Sequence, residues 1–196
     1  MAVLQIAKLG NPILRQVARR VTEKECRTAA FQRFLDDLVD TMRVKDGVGL
    51  AAPQVSQSVQ AIVIESEEST RYRRAPRLPL LVMINPTITA YSEETVEGWE
   101  GCLSLDNLRG RVARSIRIHV DGFDRFMEPV SIDAERFLAV VFQHEVDHLN
   151  GKLFIDRMTD LTALTHLAEY DLYWGNSDAE SNAPEDVATE IGSLKS

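Results

Sequence analysis

Residues 143–151 read Gln-His-Glu-Val-Asp-His-Leu-Asn-Gly, and inside them His144, Glu145 and His148 form the pattern His-Glu-x-x-His. On a helix, positions i and i+4 lie one turn apart on the same face, so both imidazoles can reach one metal ion. Glu145 points to the neighbouring side, where it could take a proton from water. The competing reading is a pair of core histidines satisfied by hydrogen bonds. Against it, a chance His-Glu-x-x-His is expected in fewer than about one chain in a hundred of this composition. Phe137, Val141, His144 and His148 form one stripe at helical spacing, so the histidines extend an apolar face and the helix is central. Two imidazoles make half of a four-coordinate site, and the third ligand decides which bond is hydrolysed.

Three positions compete for that role. An extended zinc-protease pattern would put a third histidine at position 154, where Phe154 stands and cannot ligate. Glu169, downstream, would suit a zinc endopeptidase. Cys102, in the stretch Gly98-Trp99-Glu100-Gly101-Cys102-Leu103-Ser104, offers a thiolate, a strong ligand for iron, zinc or cobalt. A lone cysteine is otherwise a small buried hydrophobe, and Cys26 is assigned that role.

The elements that must hold these groups are readable from periodicity. Residues 28–43 place Phe31, Phe34, Leu35, Leu38, Val39 and Met42 at helical spacing. Gly47-Val48-Gly49 ends that helix and opens a loop. Strands are expected over 60–65, 80–86 and 115–123. A second helix is expected from an N-cap at Asp133 to a stop near Gly151, and a third over about 160–173. The expectation is an α+β domain, with small, mostly antiparallel sheets around a central metal-binding helix and with N- and C-terminal helices.

At 196 residues the chain is sized for one domain, and 44% hydrophobic with 27% charged residues is ordinary for a globular protein. A net charge of −8 argues against a general nucleic-acid binder, so DNA is not an expected partner. No apolar run approaches a membrane span, and the first residues lack the apolar stretch of a signal peptide. Two cysteines make no disulfide scaffold and suit a cytosolic protein with free thiols. Residues 1–174 are expected to form a single catalytic domain. Residues 175–196, with five acids against Lys195, are expected to be a flexible acidic tail.

Three stretches together resemble the peptide deformylase family, in its order and at similar spacing. They are Gly47-Val48-Gly49-Leu50-Ala51-Ala52-Pro53-Gln54, Glu100-Gly101-Cys102-Leu103-Ser104 and His144-Glu145-Val146-Asp147-His148-Leu149-Asn150-Gly151. The opening Leu9-Gly10-Asn11-Pro12-Ile13-Leu14-Arg15 is similar as well. The resemblance implies Cys102, His144 and His148 as ligands to one divalent metal, and Glu145 as the proton carrier. It implies the Gln54 amide and the Leu103 backbone N–H as donors to the developing oxyanion. It implies removal of formyl groups from N-formylmethionyl nascent peptides. Val48, Gly49, Glu100, Arg109, Phe137 and Val141 are candidates for the substrate side of the site. Glu100 and Arg114 are expected to pair behind the Cys loop, with Asp147 as a helix brace.

The metal implied in the cell is Fe2+, with Zn2+, Ni2+ or Co2+ possible in preparations. Transient ribosome association and a bacterial cytoplasm, or an organellar matrix or stroma for a mature eukaryotic form, are implied likewise. The chain departs from the family after the Cys motif. The family commonly has Pro-Gly and then Arg-Gly-x-Val-Pro-Arg, where this chain has Asp106-Asn107-Leu108-Arg109-Gly110-Arg111-Val112-Ala113-Arg114. Both prolines are absent, which leaves the stiffness of that loop open. A degenerate member that binds but turns over poorly is the non-enzymatic alternative.

Overall fold

The structure is a computed structural model that describes residues 2–67 and 76–175. In chain order, a 3-10 turn Pro12–Arg15 precedes helices α1 (Glu23–Cys26) and α2 (Ala29–Val44). Strand β1 (Gly49–Ala51) runs into a 3-10 turn, Ala52–Val55, and is followed by β2 (Ala61–Ser66), β3 (Leu78–Tyr91), β4 (Thr95–Cys102) and β5 (Leu105–Ser115). Then come β6 (Arg117–Phe123), β7 (Pro129–Glu135), α3 (Arg136–Leu149), β8 (Leu164–His166) and α4 (Leu167–Tyr173).

The strands form two sheets, one of five strands in the order β1-β2-β3-β6-β7 and one of three in the order β4-β5-β8, every pairing between them antiparallel. The α+β expectation holds. The acidic tail expected from residue 175 lies, from 176 onward, outside the described residues.

Helix α2 forms where its periodicity puts it. The Thr28 hydroxyl accepts the Phe31 N–H at 3.2 Å, satisfying one donor that the first turn leaves open. Phe31, Leu35, Leu38, Val39 and Met42 are buried against β1, β2 and their loops. Each such side chain contributes about 1.5–3 kcal/mol on leaving water. Helix α3 lies at the centre of the molecule, packed against β1, β2, β3 and β7 of the larger sheet and β5 of the smaller. Its Leu138, Ala139, Val141, Phe142 and Leu149 fill the largest core cluster.

Two expected boundaries are corrected. Asp133 does not cap α3; it lies in β7, and its carboxylate sits 2.6 Å from the His119 ring. Strand β7 passes directly into the helix at Arg136, which takes the left-handed conformation with φ 51°. The Arg136 N–H donates to the Ile116 carbonyl at 2.7 Å, so a strand contact fixes the helix start and no polar cap is needed. The helix expected over 160–173 is broken. Asp160 caps a 3-10 turn, Leu161–Ala163, and β8 then pairs with β5 before α4 begins with His166 as its N-cap. Strand pairing with β5 claims residues that local periodicity assigns to a helix. No helix among the described residues is long and apolar enough to cross a membrane.

Candidate active site

Cys102 ends β4 at its hairpin turn, while His144 and His148 project from one face of buried α3. The ligand atoms of these three residues lie within 4.8 Å of one another. The two imidazoles meet edge to face at 5.0 Å, and Cys102 Sγ is 3.3 Å from His148 Nε2. His144 turns its other ring nitrogen, Nδ1, to Glu100 Oε2 at 2.8 Å, which leaves Nε2 for the site. A carboxylate behind a ligating histidine fixes its tautomer and raises its basicity. Glu100 is in turn held by Arg114 through contacts of 2.7 and 3.0 Å. Arg114 also reaches Asp147 at 2.6 Å, and Asp147 receives Arg157 at 2.5 and 3.0 Å. A chain of charges thus runs from the surface to the ring of His144.

Two of the groups are held in the form that metal binding needs. At His144, by contrast, burial is outweighed by Cys102 and Glu100, which raise it well above its ordinary value, so that a cation bound there displaces its proton. Burial alone would push the Cys102 thiol up, but the facing His148 and His144 outweigh it and hold it well below its ordinary value, in the thiolate form that ligates. Glu100 is likewise driven upward by burial, yet His144 and Arg114 bring it down to about 2, so it stays ionised. A thiolate, two imidazoles and an ionised carboxylate behind one of them fit one divalent cation with a position left for solvent.

Glu145 is pushed up to about 7 by burial, only partly offset by the two histidines. Its Oε2 is fully buried and has no hydrogen-bond partner among the described residues. Gly49 lies directly over it: a Cβ there would stand 2.8 Å from Glu145 Cδ and 2.9 Å from Cγ. Only glycine leaves that carboxylate its place.

Gln54 is set by its own turn. Its side-chain carbonyl accepts the Ala51 N–H at 2.8 Å, which aims Nε2 at Cys102 Sγ, 3.4 Å away, and at Ser104 Oγ, 3.3 Å away. Leu103 and Ser104 form the turn between β4 and β5, and the Ser104 N–H donates to Cys102 Sγ at 3.4 Å. Val48 and Val141 are buried in the cluster that includes Met83 and Phe142, and Phe137 packs against it. Val48, Val141 and Phe137 thus share one core cluster beside the histidines of α3.

The other expected residues surround the site or lie away from it. Both Glu100 oxygens are engaged by Arg114 and His144, so its geometry is that of a brace. Arg109 is 4% exposed, and its guanidinium lies against Gly101, where a Cβ would overlap it. Asp147 braces α3 to Arg114 and Arg157, as expected. Glu169 is exposed in the first turn of α4 and is not part of the Cys102, His144 and His148 group. Phe154, at the position of the extended protease pattern, stacks on the His144 ring at 6.4 Å and 19°.

Arg157, Ser104 and the stacking role of Phe154 are not read from the sequence. Only the nearness of Ser104 to Cys102 gave any signal. His119 contacts Asp133, Ser131 and Asp121 on exposed sheet.

Comparison with known proteins agrees with this geometry. The family model described as polypeptide deformylase matches residues 3–163. Peptide deformylase 2 of Nostoc sp. is 42% identical over 176 residues, covering 89% of this chain and 97% of the relative. The peptide deformylase of Leptospira biflexa is 42% identical over 160 residues, 81% and 89% of the two chains. Among solved structures, a class I type b peptide deformylase from Acinetobacter baumannii with Met-Ala-Ser bound superimposes with a TM-score of 0.78 at 39% identity, covering 80% of this chain and 99% of that one. A peptide deformylase from Thermotoga maritima gives 0.72 at 35% identity, covering 82% and 100%.

Proposed function

The chain belongs to the polypeptide deformylase family and is a metal-dependent hydrolase of formylmethionyl peptides; from that premise we propose how its own residues carry the reaction. The observation that supports the assignment best is the meeting of Cys102, His144 and His148 beside a buried Glu145 near neutrality.

Cys102, His144 and His148 would hold one divalent cation, which when bound would supply Lewis acidity to the hydrolysis. Glu145 takes a proton from the water as its oxygen attacks the formyl carbon. As the C–N bond breaks, Glu145 returns that proton to the departing amine, and formate leaves. Burial raises the Glu145 carboxyl above the usual carboxylate range, which favours its keeping the proton between the two halves of this exchange. The Gln54 amide and the Leu103 N–H donate to the oxyanion; groups of this kind are each worth about 3 kcal/mol.

The formylated peptide lies extended along β1, which is an edge strand of the larger sheet, with Gly49 allowing backbone contact. Val48, Phe137 and Val141 receive the methionine side chain, and Arg109 and Glu100 shape the loop around it. The bound Met-Ala-Ser of the Acinetobacter baumannii relative is in keeping with such a groove.

The metal in the cell is Fe2+, and purified protein takes Zn2+, Ni2+ or Co2+ according to supply, since a mixed thiolate and imidazole set accepts all four. The protein works in the cytoplasm of a bacterium, or in the corresponding organellar space, on chains leaving the ribosome. Its ribosome contact is transient and does not use the acidic segment 175–196. Residues 159–174 hold no Lys or Arg, and the tail carries a net charge of −4 from five acids and one lysine, so ribosomal RNA repels this end. Assaying formyl-Met-Ala against an unformylated, internally quenched peptide tests the reading. Formate release without internal cleavage is expected. Internal cleavage would restore the endopeptidase, and metal binding without turnover would indicate a degenerate member.

A further inference from the structure

The two groups assigned to the oxyanion sit on separate segments. Gln54 belongs to the 3-10 turn after β1, and Leu103 to the turn between β4 and β5. Both segments are tied to the same three residues near the start of the chain. The Ala7 N–H donates to the Gln54 backbone carbonyl at 2.7 Å. The Leu9 N–H donates to the Ser104 carbonyl at 2.8 Å. Between them, Lys8 Nζ donates to the Leu103 carbonyl at 2.9 Å and to Asp106 Oδ1 at 2.6 Å.

We propose that Ala7–Leu9 is a clamp that sets the spacing of the two oxyanion donors, and that Lys8 is a positioning residue for deformylation acting through the Leu103 peptide. This rests on the roles given above to Gln54 and Leu103. The physical basis is the planarity of the peptide group. In a trans peptide, the Leu103 carbonyl and the Ser104 N–H point in opposite directions. Lys8 holds the carbonyl on the outer side, while the Ser104 N–H reaches inward to Cys102 Sγ at 3.4 Å. Both contacts fix the plane of the Leu103–Ser104 peptide. The Leu103 N–H belongs to the preceding Cys102–Leu103 peptide, which is hinged to that plane at the Leu103 Cα and is therefore steadied through it on one side. Asp106 keeps the Lys8 ammonium over that carbonyl.

The next residue, Asn107, takes φ 56°, so the hairpin arm bearing Asp106 carries a left-handed residue that asparagine tolerates. Lys8 and Asp106 side chains are 51% and 62% exposed, and such a pair adds little to global stability. Its effect should therefore appear in catalysis, where small displacements of a donor are costly.

The test uses the metal-loaded protein with formyl-Met-Ala, with metal content and melting temperature measured alongside. Lys8→Met should lower kcat about tenfold, part of the 10²–10³-fold that loss of an oxyanion donor costs. KM should change by less than about twofold, since ground-state binding is left intact. Lys8→Arg should recover most of the rate. Asp106→Asn, which keeps the Lys8 contact to the Leu103 carbonyl, should cost less than Lys8→Met. Amide hydrogen exchange should quicken at Leu103 and Ser104 in Lys8→Met and stay unchanged in α3.

Unchanged kcat and exchange in Lys8→Met, with the wild type active, would overturn the clamp. So would a loss that follows metal content or melting temperature, or one confined to KM. A wild type that releases no formate would instead overturn the function on which the clamp depends.

Discussion

Among the described residues, two histidines each lean on a carboxylate, and their surroundings make them different objects. His119 meets Asp133 at 2.6 Å and Ser131 at 2.9 Å on the paired strands β6 and β7. His144 meets Glu100 at 2.8 Å behind Cys102. By distance the exposed contact is the shorter. Yet the Asp133 side chain is 85% exposed and that of Glu100 is 5% exposed. Water screens the first pair, so Asp133 does little more than raise the His119 pKa. The second pair is sealed, backed by Arg114, and set against a thiolate. Geometry alone does not make a site; burial, and what the other ring nitrogen faces, decide it.

The comparison can be broken most severely at Glu145. Glu145→Ala should retain metal and lose about 10²–10⁴-fold in kcat, the contribution of a positioned proton carrier. Surviving activity with metal bound would assign the proton to another group. Cys102→Ala should weaken metal binding by at least about 10–100-fold, as a lost ligand costs no less than a lost partner behind one. Cys26→Ala, whose thiol is buried and pushed up by that burial, should leave metal content unchanged. Elemental analysis of both variants decides the point, and equal metal content would remove Cys102 from the site.

The next effect sharpens the contrast between the two carboxylates. Glu100→Gln should cost about tenfold in metal affinity by chelator competition, the lower end of what such partners contribute. Asp133→Asn on the outer sheet should cost none. The smallest effect belongs to His119→Ala. Turnover should be unchanged, and the melting temperature should stay within about 2 °C, as for other surface substitutions. A fall in formate release would show that the exposed cluster reaches the chemistry after all.

These regions also differ in how far they can be read without coordinates. The α2 stripe and the stripe running into His144 and His148 follow from periodicity, because each buries one apolar face. The three short stretches around Gln54, Cys102 and His144 carry the site by residue type and resemblance. Strands β4 and β5 are harder to see, because their buried positions include Glu100, Arg109 and Arg114 and the usual apolar alternation is absent. Strand β8 is invisible locally, since β5 recruits it over more than 50 residues of chain. The Lys8 contact with Leu103 spans 95 positions, beyond any local pattern. The loop left open by the absent prolines gains its restraint there, through Asp106.

Helix α3 brings its two histidines from among the strands of the larger sheet, whereas Cys102 arrives on the smaller one. An ion held by all three is therefore a suture across the seam between the sheets. It stabilises the joined state by RT ln(1 + [M]/Kd), where M is the free ion, so chelation loosens the joint without touching either sheet. Trp99 meets Tyr170 edge-on and Trp174 at a tilt on the smaller side, with ring centroids 5.2 and 5.9 Å away. The chain has two tryptophans, and both lie there. Their fluorescence is thus a one-sided gauge: it follows the smaller sheet as the seam parts and is blind to the larger one.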